Sequence, residues 1–440
     1  MFFNILYLLG LLAASPWIAY RAFFQGRYRR GVSQKLFGLR HGDIESSNQS
    51  TAWFHAVSVG EVNLIPGLVA GFRADHPHWR VVVSCSTDTG YDLATSKFAG
   101  TGVDVFFCPL DFTWAVRKTV RTLQPQLLVL AELELWPNLI RIARDYGCQV
   151  AIVNARLSKK SAANYRRFWR IVSPTFARID WIGCQDHDYA DRFIACGATQ
   201  SAVTVTGCLK FDNAPSSRDT LDVVSRLDWL GHHPWHQVFL AGSTHDGEER
   251  IAIQTYQQLS DSHPDLRLAM TPRHAPRFDD VAKLIVSMGF RCRRRSEMSP
   301  AAADWDADTI VLLDTIGDLR HWWGTAQIAF VGGSFVSRGG QNMLEPAGYG
   351  AAVCFGPNTQ NFEDITRRLL AADGAVQLQT PGELTDFVRQ CLLDPPATDR
   401  LGIHAAAMVA SHRGATARTL QHLAAMAAMR DVVPLVRRAA

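Results

Sequence analysis

From about residue 50 onward the chain repeats one pattern: a short apolar run, then an amphipathic stretch, then another apolar run. The runs Trp53–Ala56, Val81–Cys85, Val103–Cys108, Leu127–Ala131, Val150–Asn154, Trp181–Gly183 and Val203–Thr206 have strand length. Helical segments are expected between them, at Leu64–Ala74, Trp114–Leu123, Asn138–Tyr146 and Asn164–Ala177. Strands alternating with helices at this spacing predict a doubly wound parallel sheet. The alternation breaks at Asn213–Ser217 and resumes at Val238–Ala241, Leu266–Met270, Ile310–Leu313, Ile328–Val331 and Ala352–Phe355. A chain of 440 residues exceeds one ordinary core. The expected fold class is therefore α/β, with two Rossmann-like domains at 46–213 and 230–400 and a helix over 401–430 closing the molecule. In such sheets ligands sit beyond the carboxyl ends of the strands, so the loops there should carry the chemistry, facing a cleft between the domains.

Residues 1–24 differ from the rest. The stretch Phe2–Tyr20 is apolar but for Asn4, Ser15 and Pro16, close to the ~20 residues that cross a bilayer core. Arg21, Arg27, Arg29, Arg30, Lys35 and Arg40 follow, against only Asp43 and Glu45, so the formal net charge of +4 is all in this region. A cleaved signal peptide carries its charge before the apolar run, not after it. Basic residues on the carboxyl side place the body on the cytoplasmic face of the membrane. A spanning anchor and a helix lying in the interface both fit. The spanning anchor is the expectation, with anionic phospholipid as a partner.

Composition excludes other classes. Nine cysteines without CxxC pairing, several inside apolar runs, read as reduced core thiols. No Cys and His cluster has zinc spacing, and Asp304, Asp306 and Asp308 lack the glycine and glutamate of a calcium loop. Arg291–Arg295 reads as an exposed basic turn with no nucleic-acid pattern around it. No metal or other cofactor is expected, and no nucleic acid.

Five segments fall where strands end. His55-Ala-Val-Ser58-Val-Gly60-Glu61 follows the first strand; Glu61 there is either a general base or a cap for the next helix. Glu132-Leu-Glu134 follows Leu127–Ala131, and extended geometry would put both acids on one side, at a cost unless a cation answers them. Lys210, at the domain boundary, could meet an anion. Arg273, after Pro272, could grip a phosphate through its planar fork. Last, a strand runs into Gly332-Gly333 and Gly339-Gly340 before a helix opens near Asn342. This arrangement allows phosphate approach, or is a structural turn, with Glu345 placed for a ribose diol. The dinucleotide fingerprint is absent, which disfavours a nicotinamide-dependent oxidoreductase.

Nine segments in order, WFHAVSVGEV, ELELWPNLI, VNARLSKKSA, VTVTGCLKFD, AGSTHDGEE, TPRHAPRF, DTIGDL, FVGGSFVSRGGQNMLEP and FGPNTQNF, resemble the bacterial 3-deoxy-D-manno-octulosonic acid (Kdo) transferases of the glycosyltransferase-B fold. The resemblance spans almost everything after residue 50. It implies an inverting, lipid A-specific enzyme moving Kdo from CMP-Kdo to lipid IVA in lipopolysaccharide synthesis. It implies Glu61 as the base, and Glu132 and Lys210 as transition-state stabilisers. Pro272 and Arg273, Ile316, Gly317 and Asp318, and Asn342, Met343, Leu344 and Glu345 would contact CMP. Ser58, Gly60 and Glu134 would support donor or acceptor. Two positions depart from the family pattern: Gln341 stands where relatives commonly have His, and Leu133 where they have Thr. Another two-domain glycosyltransferase using a UDP-sugar, or a non-catalytic membrane scaffold, would share many of these features.

Overall fold

The structure, a computed structural model, describes residues 2–26, 29–45, 47–297 and 305–431. Arg27 and Asp304 lie outside the described residues. The chain divides into two compact units, one of residues up to 212 together with those from 413 on, the other of residues 213–412.

The first unit holds a seven-stranded parallel sheet, β1 (Thr51–His55), β2 (Arg80–Cys85), β3 (Asp104–Phe107), β4 (Pro125–Ala131), β5 (Gln149–Ala155), β6 (Trp181–Cys184) and β7 (Val203–Val205), in the order β3-β2-β1-β4-β5-β6-β7. Its central strands are buried along both faces, which explains why they read as unbroken apolar runs. Trp53, Val82, Leu128, Leu130 and Ile152 enter the core on one face. Ala52, Phe54, Val83, Leu127 and Val129 enter the core on the other. The strand order reverses between the parallel neighbours β1 and β4, the place where such sheets bind ligands.

The second unit repeats the design with β8 (Gln237–Thr244), β9 (Leu266–Pro272), β10 (Arg291–Arg294), β11 (Thr309–Leu312), β12 (Ile328–Val331), β13 (Ala352–Phe355) and β14 (Ala375–Gln377), in the order β10-β11-β9-β8-β12-β13-β14. The reversal lies between β8 and β12. β10 and β14 are edge strands that the apolar pattern does not reveal. Residues 291–294 are not a turn: they pair in register with 309–312, while Arg291 meets Asp306 and Asp308 at 2.6 and 2.7 Å. Edge strands tolerate such charge because one side faces water.

The end of the chain also corrects expectation. In place of one helix at 401–430 there are two, Pro395–Ser411 and Ala415–Asp431, broken at residues 412–414, where Gly414 has φ +93°. The second helix belongs to the first unit. Asp212 accepts from the backbone N–H groups of Gly414 and Thr416 (2.6 and 2.5 Å), and Ala415, Leu423, Met426 and Ala427 enter the β1 core. Gly71, in the helix Pro66–Asp75, makes room for Leu420; a Cβ there would lie 2.3 Å from its Cδ1.

Candidate functional site

In the first unit, three expected residues gather at the ends of β1 and β4. After His55 the chain turns into the short helix Val59–Val62, and Ser58 and Glu61 form a reciprocal capping box. Ser58 N and Oγ both donate to Glu61 Oε2 (2.9 and 2.5 Å). Gly60 has only Ser58 Oγ near its Cβ direction, so the backbone is open there.

Glu132 does not continue the strand. Its φ of +59° is left-handed, and its N–H is taken by Val153 of β5, so the alternation expected for Glu132 and Glu134 fails. Glu132 is 7% exposed, and the cation that such burial requires is Arg156, whose Nε lies 2.8 Å from its Oε2. Glu134 accepts from the Trp136 indole N–H at 2.8 Å. Burial pushes the Glu134 carboxyl up to about 7; the indole works against this, and the charges of Glu61 and Glu132 add to it. The three acids thus share one electrostatic neighbourhood. Leu133 packs with Leu135 and Trp136 against the core, which accounts for an apolar residue at that place.

Lys210 sits half-buried in the short helix Leu209–Asp212. This helix is tied to the sheet centre, since Leu209 N donates to the Asn154 side chain (3.0 Å) at the end of β5, two residues before Arg156.

Behind Glu61, His55 is fully buried. Its Nδ1 meets Ser84 O and Oγ (3.2 and 2.9 Å) while Nε2 has no partner. Burial lowers the imidazole to about 4, so it is neutral, although the Ser84 carbonyl and Glu61 pull the other way. Sequence reading passed over Thr87 and Gly90, which hold this loop. The Thr87 backbone and hydroxyl both bond Val57 O, and a Cβ on Gly90 would sit 3.2 Å from Ser58 Cα.

In the second unit the site residues follow β8, β9, β11 and β12. Pro272 closes β9, and the Arg273 guanidinium Nε donates to Gln341 Oε1 at 3.2 Å, linking two expected segments. The first glycine pair of the Gly-rich loop is organised from within the chain. Glu248, wholly buried, accepts from the backbone N–H groups of Gly333, Ser334 and Phe335 (2.7, 3.0 and 2.9 Å) and of His245 (2.8 Å). Those three loop donors are occupied by a carboxylate of this chain, so they do not wait for a phosphate. Gly332 is required by packing, because a Cβ would meet Ser243 O at 2.7 Å.

Positive charge collects beside the loop. The His245 imidazole is lowered by burial and then by His274, Arg338, Arg277 and Arg273; its Nε2 has no partner. Arg277 is answered by Glu249 (2.6 Å) and Asp246 (3.1 Å).

In the loop after β11, Ile316 is 82% exposed and Gly317 has φ +96°. Asp318 accepts from Thr315 Oγ1 and the Trp322 indole (2.9 and 3.1 Å). Asn342 bridges Leu344 N and Glu345 Oε1, both at 3.1 Å. Burial raises the Glu345 carboxyl, opposed by Arg320. Met343 and Leu344 have buried side chains, so only their backbone can face a ligand. No group of three or more potential metal ligands occurs among the described residues.

The family model described as 3-deoxy-D-manno-octulosonic-acid transferase (kdotransferase) matches residues 30–213. The 3-deoxy-D-manno-octulosonic acid transferase of Haemophilus influenzae is 31% identical over 90% of this chain and 91% of its own length. That of Bordetella pertussis is 31% identical over 95% of this chain and 98% of its own. Among solved structures, the UDP-GlcNAc 2-epimerase of Neisseria meningitidis aligns over 86% of this chain and all of its own, with TM-score 0.56 and 10% identity, a likeness of fold alone.

Proposed function

The chain belongs to the 3-deoxy-D-manno-octulosonic acid transferase family, glycosyltransferases of two parallel-sheet units, and from that premise we propose that it transfers Kdo from CMP-Kdo to the lipid A precursor lipid IVA. The observation that carries the proposal is the acid cluster at the ends of β1 and β4, with Arg156 paired to Glu132 and Lys210 in the helix Leu209–Asp212 tied to the end of β5.

A sugar hydroxyl is a weak nucleophile at neutral pH, so a positioned base accelerates its attack typically 10²–10⁴-fold. Glu61 suits the task. Its capping bonds both use Oε2, leaving Oε1 to receive the proton as the hydroxyl attacks the anomeric carbon. The capping role and the base role are compatible, since the first fixes the carboxylate for the second. Glu132 and Lys210 balance charge as the C–O bond to CMP breaks and the anomeric centre inverts. The donor carries a carboxylate and a phosphate, and Arg273 with the cations around His245 answers them. Asn342 and Glu345 are placed for the ribose, with Pro272, the backbone of Met343 and Leu344, and the loop from Ile316 to Asp318 beside the nucleotide. Ser58, Gly60 and Glu134 shape the acceptor side. A monophosphate leaving group sheds less charge than a diphosphate, so the reaction runs without a metal.

The apolar helix Phe2–Gln25 attaches the enzyme to the cytoplasmic face of the inner membrane, where an acylated acceptor resides. The test is incubation with lipid IVA and CMP-Kdo, followed by the mass of the glycolipid. Kdo addition is expected, lost on Glu61→Gln with folding retained and unchanged by EDTA. Turnover of a UDP-sugar alone would refute the proposal.

A further inference from the structure

The apolar helix Phe2–Gln25 meets the body of its own unit at its start, and the chain that follows it returns to the same region. At its start, the Asn4 amide donates to Thr113 Oγ1 (2.7 Å), and its oxygen accepts from Thr113 N (3.1 Å) and Asn138 Nδ2 (3.2 Å). One turn on, Tyr7 OH donates to Asp111 Oδ2 at 2.9 Å, and its ring stands edge-on to Phe112. Asp111 is a buried hub that also accepts from Asn138 N and Leu139 N (3.0 and 2.7 Å), the first turn of the helix Pro137–Asp145. Past the other end, Gly31 lies against the Phe107 ring, Gln34 accepts from Phe107 N (3.0 Å), and Leu110 N donates to Lys35 O (2.8 Å). Both ends therefore return to one stretch, residues 107–113.

We infer that this helix does not cross the bilayer but lies within one leaflet, on the same side as the catalytic body. The lengths decide it. From Asn4 to Gln25 an α-helix extends about 32 Å, comparable with the ~30 Å hydrocarbon core. The chain from Gln25 to Gly31 spans at most about 20 Å. A helix held at Asn4 and standing upright would carry Gln25 beyond the reach of that return, and crossing would strand the following chain on the far side.

The occupant of the outward surface is anionic phospholipid. Leu9, Leu12, Phe23 and Phe24 are 61–79% exposed, and the apolar segment Phe3–Phe24 has no buried residue. Where the helix ends, Arg29 donates to the Ala22 and Phe23 carbonyls and, with Arg40 and Asp43, lines a cavity of about 500 Å³, where two cations against one carboxylate leave positive charge for a lipid phosphate. The Asn4–Tyr7 clamp also has a catalytic consequence. It grips the helix that follows Glu134 and Trp136, so the lipid-embedded segment fixes the height of the acid cluster over the membrane.

The inference rests on the membrane attachment proposed above, and the test separates the two. The full chain carries an epitope before its first residue, and protease is added to spheroplasts or to inverted inner-membrane vesicles. Loss of the epitope only in inverted vesicles is expected. Loss only in spheroplasts overturns the one-leaflet arrangement while leaving attachment intact, and recovery of the chain in the soluble fraction overturns both. As a second measurement, Asn4→Leu with Tyr7→Phe should reduce transfer to acceptor in vesicles about tenfold, while transfer to detergent-dispersed acceptor stays within about twofold. An equal change in both assays would overturn the coupling.

Discussion

Glu248→Ala probes the least expected part of the second unit. The wild-type carboxylate receives four backbone N–H groups at 2.7–3.0 Å, with no exposure to water. Hydrogen bonds to a charged group contribute about 1.5–3 kcal/mol each, and a buried donor left alone costs about 1–3 kcal/mol. Four such donors would sum to about 4–12 kcal/mol, but the cavity left by the side chain admits water and removal of the buried charge offsets part of the loss. A net destabilisation of about 3–5 kcal/mol in the second unit is the working value. Glu248→Gln retains one accepting oxygen but turns an NH₂ toward backbone donors, so it should recover less than half. The assay is native-state hydrogen exchange at Gly333, Ser334 and Phe335, beside urea unfolding. Exchange should accelerate by a factor of at least about 100 at these amides. If they remain as protected in Glu248→Ala as in wild type, the loop is held by something else and the reasoning is wrong.

Other outcomes follow from the same geometry. Arg156→Ala removes the cation beside the acid cluster and should move the acid limb of the pH–rate profile to higher pH, whereas Glu134→Gln removes a like charge and should move it lower; initial rates between pH 5 and 8 decide. Arg273→Lys keeps the charge but loses the planar fork, so donor KM should rise about tenfold or more, measured by CMP release at saturating acceptor. His55 has a folded-state value of about 4, below the ordinary 6.5; its unfolded form therefore binds the extra proton, and stability falls as pH drops through that window by up to about 1.4 kcal/mol per unit. His55→Gln should flatten this slope by about one proton, as read from denaturation midpoints across pH 4–6.5, and an unchanged slope would count against a buried neutral imidazole.

What could be read from the sequence was whatever leaves a local trace. Unbroken apolar runs gave the central strands, since parallel strands are buried on both faces. Ser58 and Glu61 have capping-box spacing, and that box is present. What escaped depends on contacts between distant residues. Glu248 and Phe335 lie 87 positions apart, and no periodicity links an acid to the loop that it organises. Arg156 stands in a segment quoted for its likeness to the family, yet its pairing with Glu132 needs β4 and β5 side by side. The left-handed turn at Glu132 contradicted strand alternation because a tertiary bond to Val153 overrides local preference. β10 was missed because an edge strand can be as polar as RCRR.

The clasp between Asp212 and the Gly414–Thr416 turn has a consequence for biogenesis. A ribosome finishes residues 1–212 long before it makes the helix Ala415–Asp431 that completes their core, so the first unit must wait, open along the side that Leu420, Leu423 and Met426 will cover, until that helix has emerged. Truncation after His412 should therefore disable the half of the enzyme made first, and leave the half made second able to fold.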